Sequence, residues 1–254
     1  MQSTKKRLDL MLVDKKLVVS RERAKALIMA GRVTVNEQLA DKPGTQVSEA
    51  DDIELKGSDL PYVSRGGLKL EAALKEFGID IKGLVCLDAG ASTGGFTDCL
   101  LQHGASKVYA VDVGYGQFAW KLRQDPRVVV IERTNIRHMP AEALPEKVDL
   151  VTVDVSFISL KIVVPAVLKF LKRRARILTL IKPQFEVGKG KVGKGGVVRD
   201  PAQHEAVIRD LRAFFSSMGL ICEPVIPSPV LGPKGNREFL TSLVYADSPE
   251  SPAH

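Results

Sequence analysis

Residues 85–96 constrain the fold of this chain more than any other part of its sequence. They read Val-Cys-Leu-Asp-Ala-Gly-Ala-Ser-Thr-Gly-Gly-Phe, a short apolar run followed by a glycine-rich turn. The run predicts a buried strand, and the turn leads into a predicted helix over 95–103. In an open α/β sheet the ligand crevice lies beyond the carboxyl ends of the strands, where this turn falls. Its glycines allow a ligand close to the backbone and leave amides at the helix start directed toward it.

Helices and strands alternate along the rest of the chain after residue 64. The predicted strands are 84–88, 107–112, 128–131, 148–154, 175–182, 221–226 and 238–245. The predicted helices are 95–103, 117–123, 160–172 and 201–218, preceded by a helix that Ser64 is placed to cap and Gly78 to end. This order predicts a doubly wound, Rossmann-like sheet of seven strands, mostly parallel. No helix separates the last two strands, so we expect them to form an antiparallel pair at one edge.

The first part of the chain predicts a separate small α+β domain. Apolar residues with helical spacing predict a helix over 7–17, and Ser20 is placed to cap a second helix over 21–30. Short strands follow, up to residue 55. We therefore expect a domain at 1–57, a linker at 58–63 rich in Gly, Ser, Asp and Pro, a large domain at 64–247 and a loose tail at 248–254.

Basic residues concentrate in two segments of a chain whose formal net charge is +7. Residues 1–33 hold nine Lys or Arg against three acids, whereas residues 34–60 hold two against seven. Residues 161–199 hold eleven basic residues and the single acid Glu186. Two such segments favour a polyanionic partner, although charge alone does not separate RNA from DNA.

Several classes of protein do not fit this sequence. The longest purely apolar stretches are about seven residues, far below the roughly 20 of a membrane helix. Asp9 and Asp14 would interrupt the apolar core of a signal peptide, so we expect a cytoplasmic protein without a membrane partner. The three cysteines form no CxxC pair, and neither a disulfide framework nor a metal site is indicated.

The glycine-rich turn admits three interpretations. A dinucleotide site requires GxGxxG, but Ser92 replaces the second glycine. Residues 90–94 do satisfy the GxSxG of hydrolases, yet that motif should follow several earlier strands, and no histidine is well placed for a triad. The third interpretation is the first loop of an S-adenosylmethionine methyltransferase, in which Asp112 would end the next strand and bind cofactor hydroxyls.

A second glycine-rich segment, residues 188–194, resembles a phosphate-binding loop as far as its lysine. Gly195 follows where Ser or Thr is required, and no helix begins there. A basic loop beside the substrate entry, with Lys189 and Lys191 as RNA contacts, is the favoured interpretation.

Several motifs together carry a resemblance to a known family. They are Arg7-Leu-Asp9, Ser20-Arg21, Gly31-Arg32-Val-Thr-Val-Asn36, Ser64-Arg-Gly-Gly-Leu-Lys69, Asp88–Phe96, Asp154-Val-Ser-Phe-Ile-Ser159, Ile181-Lys-Pro-Gln-Phe-Glu186 and Gly232-Pro-Lys-Gly-Asn-Arg-Glu238. The first three resemble the RNA-binding domain named after ribosomal protein S4. Lys69, Asp154, Lys182 and Glu238 match the Lys-Asp-Lys-Glu tetrad of FtsJ-like ribose 2′-O-methyltransferases. The whole chain resembles the TlyA family of rRNA 2′-O-methyltransferases, also labelled haemolysins.

The resemblance implies an enzyme that uses S-adenosyl-L-methionine to methylate the ribose of cytidine in ribosomal RNA, within ribosomal subunits and without an obligate protein partner. It implies that the tetrad is catalytic. The residues expected to bind the cofactor are Gly90, Ser92, Thr93, Gly94, Gly95, Phe96, Asp112, Asn135 and Asp154. The residues expected to bind RNA are Arg7, Ser20, Arg21, Lys25, Arg32, Arg65, Lys189 and Lys191.

A ribose hydroxyl is a weak nucleophile, so a lysine beside it is suited to stabilising the developing alkoxide. For Lys182 the orienting and electrostatic role is favoured, with base action left open. Phe157 either stacks on a ligand or fills the core. Two other function classes remain open at this point: an RNA-binding assembly factor without activity, and a membrane-active protein.

Overall fold

The computed structural model describes residues 5–15, 17–18, 20–55, 61–188, 192–193 and 195–245. The chain divides into two compact units, residues 1–59 and 60–254. The domain limits given above stay predictions, and the tail at 248–254 lies outside the described residues, as do residues 58–60 of the predicted linker.

The N-terminal unit packs two short helices against short strands. Its elements are β1 (Lys6–Arg7), α1 (Leu8–Asp14), α2 (Arg21–Met29), β2 (Val33–Val35), β3 (Gln38–Ala40), β4 (Gln46–Val47) and β5 (Ile53–Leu55). Strand β1 pairs with β4, and β3, β2 and β5 form a three-stranded antiparallel sheet. Helix α1 begins one residue later than predicted because Arg7 pairs with Gln46 in β4, and it ends at Asp14, before the predicted end at residue 17. Ser20 caps α2 as predicted, since its Oγ accepts a hydrogen bond from the Arg23 amide at 3.2 Å.

The larger unit is built on one mixed sheet. Its strands are β6 (Val85–Ala89), β7 (Lys107–Val111), β8 (Val128–Ile131), β9 (Val148–Val153), β10 (Leu171–Ile181), β11 (Leu220–Cys222), β12 (Ile226–Pro227) and β13 (Phe239–Tyr245). The order is β11-β13-β10-β9-β6-β7-β8, with β12 also paired to β13. The β10-β9-β6-β7-β8 portion is parallel, and β13 runs antiparallel to β10 and to β11. The predicted fold class and the antiparallel edge are thereby confirmed.

In the described part of the larger unit, five α-helices cover the two faces of this sheet. They are α3 (Gly66–Glu76), α4 (Gly95–Gln102), α5 (Trp120–Arg123), α6 (Leu160–Val167) and α7 (Pro201–Ser217). The apolar core lies in two clusters, one centred on Val151, Ile177 and Phe215 and the other on Leu70, Leu100 and Leu178. Both faces of the central strands are therefore buried, as a doubly wound sheet requires.

Several element boundaries differ from the predictions, and for three of them the structure shows the physical reason. The helix predicted over 160–172 ends at Val167 and passes through a 3₁₀ turn, because Leu171 already pairs with Val148 in the sheet. The strand predicted over 221–226 is divided into β11 and β12, which pair with different parts of β13 and give the sheet eight strands. Ser64 lies two residues before α3, where its Oγ accepts from the Gly66 amide, and Arg65 is the capping residue.

No helix within the described part of the chain is long and apolar enough to cross a membrane.

Asp88 joins the central strand to its neighbours from inside the core. Its carboxylate is fully buried and accepts hydrogen bonds from Thr97 Oγ1 at 2.7 Å and Thr152 Oγ1 at 2.9 Å. Burial raises the pKa of Asp88 to about 6, although the hydrogen bonds from Thr97 and Thr152 oppose that shift. Asp88 thus fixes the start of α4 against β6 and β9 without facing a ligand, which leaves the glycine-rich turn on a rigid base.

We predict that ionisation of Asp88 lowers the stability of the larger unit. An unfolded Asp has a pKa of about 3.9, so the contribution of Asp88 is complete below that pH and is lost as the pH rises through about 6. As the pH rises over this window, the free energy of unfolding of Asp88→Asn should increase by about 3 kcal/mol relative to that of the native chain. Melting midpoints by calorimetry from pH 4 to 7 measure this difference. Asp80→Asn, at an exposed position, is the control. A constant difference between Asp88→Asn and the native protein would contradict the prediction.

Candidate active site

The turn after β6 contains glycines that a larger residue could replace only by displacing neighbouring atoms. Gly90 has φ +88°, and a Cβ there would lie 2.6 Å from the carbonyl oxygen of Asp154. A Cβ on Gly95 would lie 2.2 Å from Ser64 Oγ, so the approach to α3 packs directly on the start of α4. Close backbone contact at this point brings the ends of β6 and β9 together with the start of α3.

A cavity of about 1010 Å³ opens at the carboxyl ends of the parallel strands. Its walls are Gly90, Ser92, Val111, Asp112, Val113, Gln117, Thr134, Asn135, Ile136, Arg137, Asp154, Val155, Ser156, Phe157, Ile158, Ser159, Ile162, Val163 and Phe185. Asp112 accepts hydrogen bonds from the Ser92 and Gly114 amides, each at 2.7 Å, and this fixes its carboxylate at the rim. Carboxylate oxygens can accept further bonds, so Asp112 retains capacity for a ligand.

A smaller cavity of about 320 Å³ adjoins the first. Its walls are Ser64, Arg65, Gly66, Lys69, Gly90, Ala91, Ser92, Thr93, Gly95, Phe96, Asp154, Lys182, Val230, Leu231, Gly232 and Glu238. Gly90, Ser92 and Asp154 line both cavities. The two spaces therefore meet at the end of β9.

Two ammonium–carboxylate pairs, one buried and one partly buried, face the smaller cavity. Lys69, on α3, donates to Glu238 Oε2 at 2.5 Å. Lys182, directly after β10, lies 2.6 Å from Asp154 Oδ1 and donates to Ser156 Oγ at 3.0 Å. Asp154 Oδ1 accepts no hydrogen bond, so the contact with Lys182 is an ion pair and the aligned bond is the one to Ser156. Pairing offsets the free-energy cost of burying Lys69, Lys182 and Glu238.

Besides Asp154 Oδ1, a second acceptor of this cavity accepts no hydrogen bond. Glu238 Oε1 is buried without a hydrogen bond within the described chain. It is packed against Gly232, where a Cβ would lie 2.0 Å from it. Buried polar atoms are normally hydrogen-bonded, so an orphaned acceptor beside an open cavity is suited to a ligand hydroxyl.

The structure brings together most of the residues predicted from the sequence. All four tetrad residues line the smaller cavity, and Arg65 lies among them. The predicted cofactor residues Gly90, Ser92, Asp112, Asn135 and Asp154 line the larger cavity, and Thr93, Gly95 and Phe96 line the smaller one. Their functional roles stay predictions.

Gly94 is the exception among the predicted cofactor residues. A Cβ on Gly94 would lie 2.5 Å from Leu122 Cδ1 and 3.0 Å from Phe118 Cε2. Its place in the turn is set by packing against α5, and it faces neither cavity.

The predicted RNA contacts Arg7, Ser20, Arg21, Lys25 and Arg32 all belong to the N-terminal unit. The Ser20 hydroxyl is already used as the cap of α2. Lys189 and Lys191 lie outside the described residues.

Part of the basic charge in segment 161–199 is paired with acids elsewhere in the larger unit. Lys161 pairs with Asp210, Lys172 with Asp149 and Arg176 with Glu223. Lys182 belongs to the cavity described above. Acids that are distant in sequence therefore balance part of the charge excess in this segment.

Phe157 and Ser156 are site features that sequence patterns alone did not assign. Phe157 is 90% exposed, has φ +64° and lies with its ring centroid 5.0 Å from that of Phe185. An exposed aromatic side chain is not a core residue, so the core-filling alternative for Phe157 is wrong, and stacking on a ligand stays a prediction. Ser156 was identifiable only from its position two residues after Asp154.

Comparison with known proteins identifies the class of protein to which this chain belongs. Residues 62–245 match the FtsJ-like methyltransferase family, and residues 6–53 match the S4 domain. The fold and the matched family define an S-adenosyl-L-methionine-dependent methyltransferase, which confirms the class and cofactor predicted from the sequence.

Full-length relatives combine the same two parts. The chain is 49% identical over 238 residues to the 16S/23S rRNA (cytidine-2′-O)-methyltransferase TlyA of Mycobacterium tuberculosis, covering 93% of this chain and 89% of that one. It is 50% identical over 244 residues to YqxC of Bacillus subtilis, named as a candidate rRNA methyltransferase, covering 96% and 87%. A solved structure of a candidate hemolysin from Streptococcus thermophilus has a TM-score of 0.76 at 44% identity, covering 96% and 90%. The chain belongs to the TlyA family.

The residues of the larger cavity fit S-adenosyl-L-methionine. The cofactor carries a sulfonium cation, ribose hydroxyls and an adenine ring. The cavity offers the carboxylates of Asp112 and Asp154, the glycine turn, and apolar walls that include Ile136 and Phe157. Its volume of about 1010 Å³ exceeds what a ligand of this size needs, leaving room at the opening.

We predict that Gly90→Ala weakens cofactor binding by at least about tenfold, because the new methyl group would displace Asp154 at the junction of the cavities. Gly78→Ala is the matched control: Gly78 also has positive φ, +58°, but nothing lies within 4 Å of its Cβ position. Both variants bear the left-handed strain of about 1 kcal/mol, and only the first meets a clash. Calorimetric titration with S-adenosylhomocysteine measures the difference. Equal affinities for the two variants would show that Gly90 does not shape the binding cavity.

Proposed function

We propose that this protein methylates the ribose 2′-hydroxyl of cytidine in ribosomal RNA, within ribosomal subunits in the cytoplasm. The observation that carries the proposal is the pair of adjoining cavities, one fitted to the methyl donor and the other containing two amines and two carboxylates. The name of the M. tuberculosis relative supports cytidine and ribosomal RNA as substrate. The S4 domain match supports RNA binding by the N-terminal unit.

Asp154 is the residue that connects donor and acceptor. It lines both cavities and holds the Lys182 amine at 2.6 Å. When bound, S-adenosyl-L-methionine supplies an electrophilic methyl group on a positively charged sulfur. A ribose hydroxyl in the smaller cavity would then face the junction at Asp154, and the ion pair keeps Lys182 oriented toward that hydroxyl.

Lys182 is suited to stabilising negative charge on the hydroxyl oxygen. An ammonium group has three donors, of which Ser156 engages one, while Asp154 forms an ion pair with the amine at 2.6 Å. A remaining donor is available to the substrate oxygen, where developing negative charge would be stabilised beside the mostly buried Lys182. This geometry supports the electrostatic role that was favoured from the sequence.

Lys69 and Glu238 complete the acceptor side. Lys69 is held by Glu238 Oε2, and the unpartnered Oε1 of Glu238 can accept the hydrogen of a substrate hydroxyl. A single group thereby orients both an amine and the substrate. Phe157, exposed at the cavity wall, offers a flat face to a nucleobase.

We predict that Lys182→Ala lowers methyl transfer to ribosomal RNA by at least about a hundredfold, because the developing alkoxide loses its nearest cation. Cofactor affinity should change little, since Lys182 lines only the acceptor cavity of the two. Incorporation of labelled methyl groups measures the first quantity, and titration with S-adenosylhomocysteine measures the second.

Lys172→Ala is the control for this experiment. Lys172 lies on β10, the strand that Lys182 directly follows. It is half-exposed and pairs with Asp149 at the surface. It should methylate at the native rate. Native turnover in Lys182→Ala would refute the role of Lys182, and absence of transfer by the native protein to any ribosomal RNA would refute the proposed function.

A further inference from the structure

The N-terminal unit contains a fully buried carboxylate that the proposed reaction does not use. Asp9, on α1, has no exposed surface. Its Oδ1 accepts from Arg7 Nε at 3.0 Å, and its Oδ2 accepts from Arg7 Nη2 at 3.1 Å and from Arg21 Nε at 3.0 Å. One carboxylate therefore holds both arginines, and both had been predicted from the sequence to contact RNA.

The two guanidinium groups are held side by side with part of each left open. Arg7 Nη2 and Arg21 Nε share the same acceptor oxygen, so the groups lie next to each other. Arg7 Nη1 and both Nη atoms of Arg21 donate to no other group within the described part of the chain. Their side chains are 42% and 44% exposed. Each arginine side chain is therefore partly accessible to a ligand, while Asp9 fixes its Nε edge.

The position of Arg7 is restricted further by its surroundings. A Cβ on Gly44 would lie 3.3 Å from Arg7 Nη1, so the guanidinium packs over bare backbone at that point. The backbone of Arg7 is itself paired with Gln46 in the β1–β4 ladder. Both its main chain and its side chain are therefore held before any ligand arrives, which lowers the entropy lost on binding.

Asp9 remains ionised at any physiological pH. The hydrogen bonds from Arg7, joined by the one from Arg21, lower the pKa of Asp9 to about 2 against the opposing effect of burial. Two cations and one anion leave one net positive charge at the cluster. A phosphodiester carries one negative charge and two acceptor oxygens, which matches an arginine pair in both charge and donor geometry.

We propose that Asp9 is a positioning residue that holds Arg7 and Arg21 as a paired-guanidinium site for one backbone phosphate of RNA. This inference rests on the proposed RNA substrate. Asp9 touches no ligand itself and acts through the two arginines.

The test is a charge-matched comparison of Asp9→Asn with Asp14→Asn. Each variant removes one acid from α1, and Asp14 is half-exposed and paired with Lys6. If only net charge mattered, both variants would bind RNA as well as the native chain or better. If Asp9 positions the arginines, Asp9→Asn binds about tenfold more weakly while Asp14→Asn does not.

The measurements are the Kd for labelled fragments of 16S and 23S ribosomal RNA over a range of salt, and methyl transfer at varied RNA concentration. Asp9→Asn should reduce the slope of log K against log salt by about one, for one lost phosphate contact. It should raise KM for RNA with kcat unchanged, because the arginines do not touch the reacting atoms. Unchanged affinity and slope would overturn the proposal, as would an equal change in both variants.

Arg21→Lys keeps the experiment decisive if Asp9→Asn fails to fold. Lysine retains the charge but cannot donate to Asp9 and to a phosphate from one rigid plane. Circular dichroism checks that Arg21→Lys is folded. Weaker RNA binding by the folded variant supports the proposal, and RNA binding equal to that of the native protein overturns it. Failure of the native protein to methylate RNA would instead count against the proposed function, since the binding comparison needs no turnover.

Discussion

The site depends on two ammonium–carboxylate pairs, the buried Lys69–Glu238 and the partly buried Lys182–Asp154. Any one of these charges alone in the same place would be strongly destabilising, because removing one partner leaves an uncompensated ion. Each pair joins distant parts of the chain: α3 to the start of β13, and the end of β9 to the end of β10. The sheet is what makes this possible, since β13 returns antiparallel beside β10 and brings Glu238 to the edge where the parallel strands end.

Part of this arrangement followed from sequence pattern and part did not. Asp154 and Lys182 each follow a strand of a parallel sheet, so their proximity was predictable from alternation alone. The position of Lys69 on a helix before the sheet, and of Glu238 before its last strand, came from resemblance to a family. Spacing gives no direct signal for contacts across 169 residues. Ser156 and the exposed Phe157 depend on local backbone geometry that the residue pattern did not reveal.

The errors in the predicted elements arise from long-range pairing. Apolar spacing continued the helix after residue 160 as far as 172, but pairing of Leu171 with Val148 ended it at Val167. The concentration of basic residues in 161–199 is also weaker evidence for a polyanionic partner than the sequence suggested. Three of these residues are paired with acids elsewhere on the larger unit. In the N-terminal unit the informative feature is an acid: the fully buried Asp9 arranges two of the cations.

The proposed function requires a ribose oxygen, and not a base atom, where the two cavities meet. Mass spectrometry of the nucleosides from ribosomal RNA incubated with the protein and methyl-labelled S-adenosyl-L-methionine distinguishes the two. We expect label in 2′-O-methylcytidine. Label on a nucleobase, with none on ribose, would contradict it.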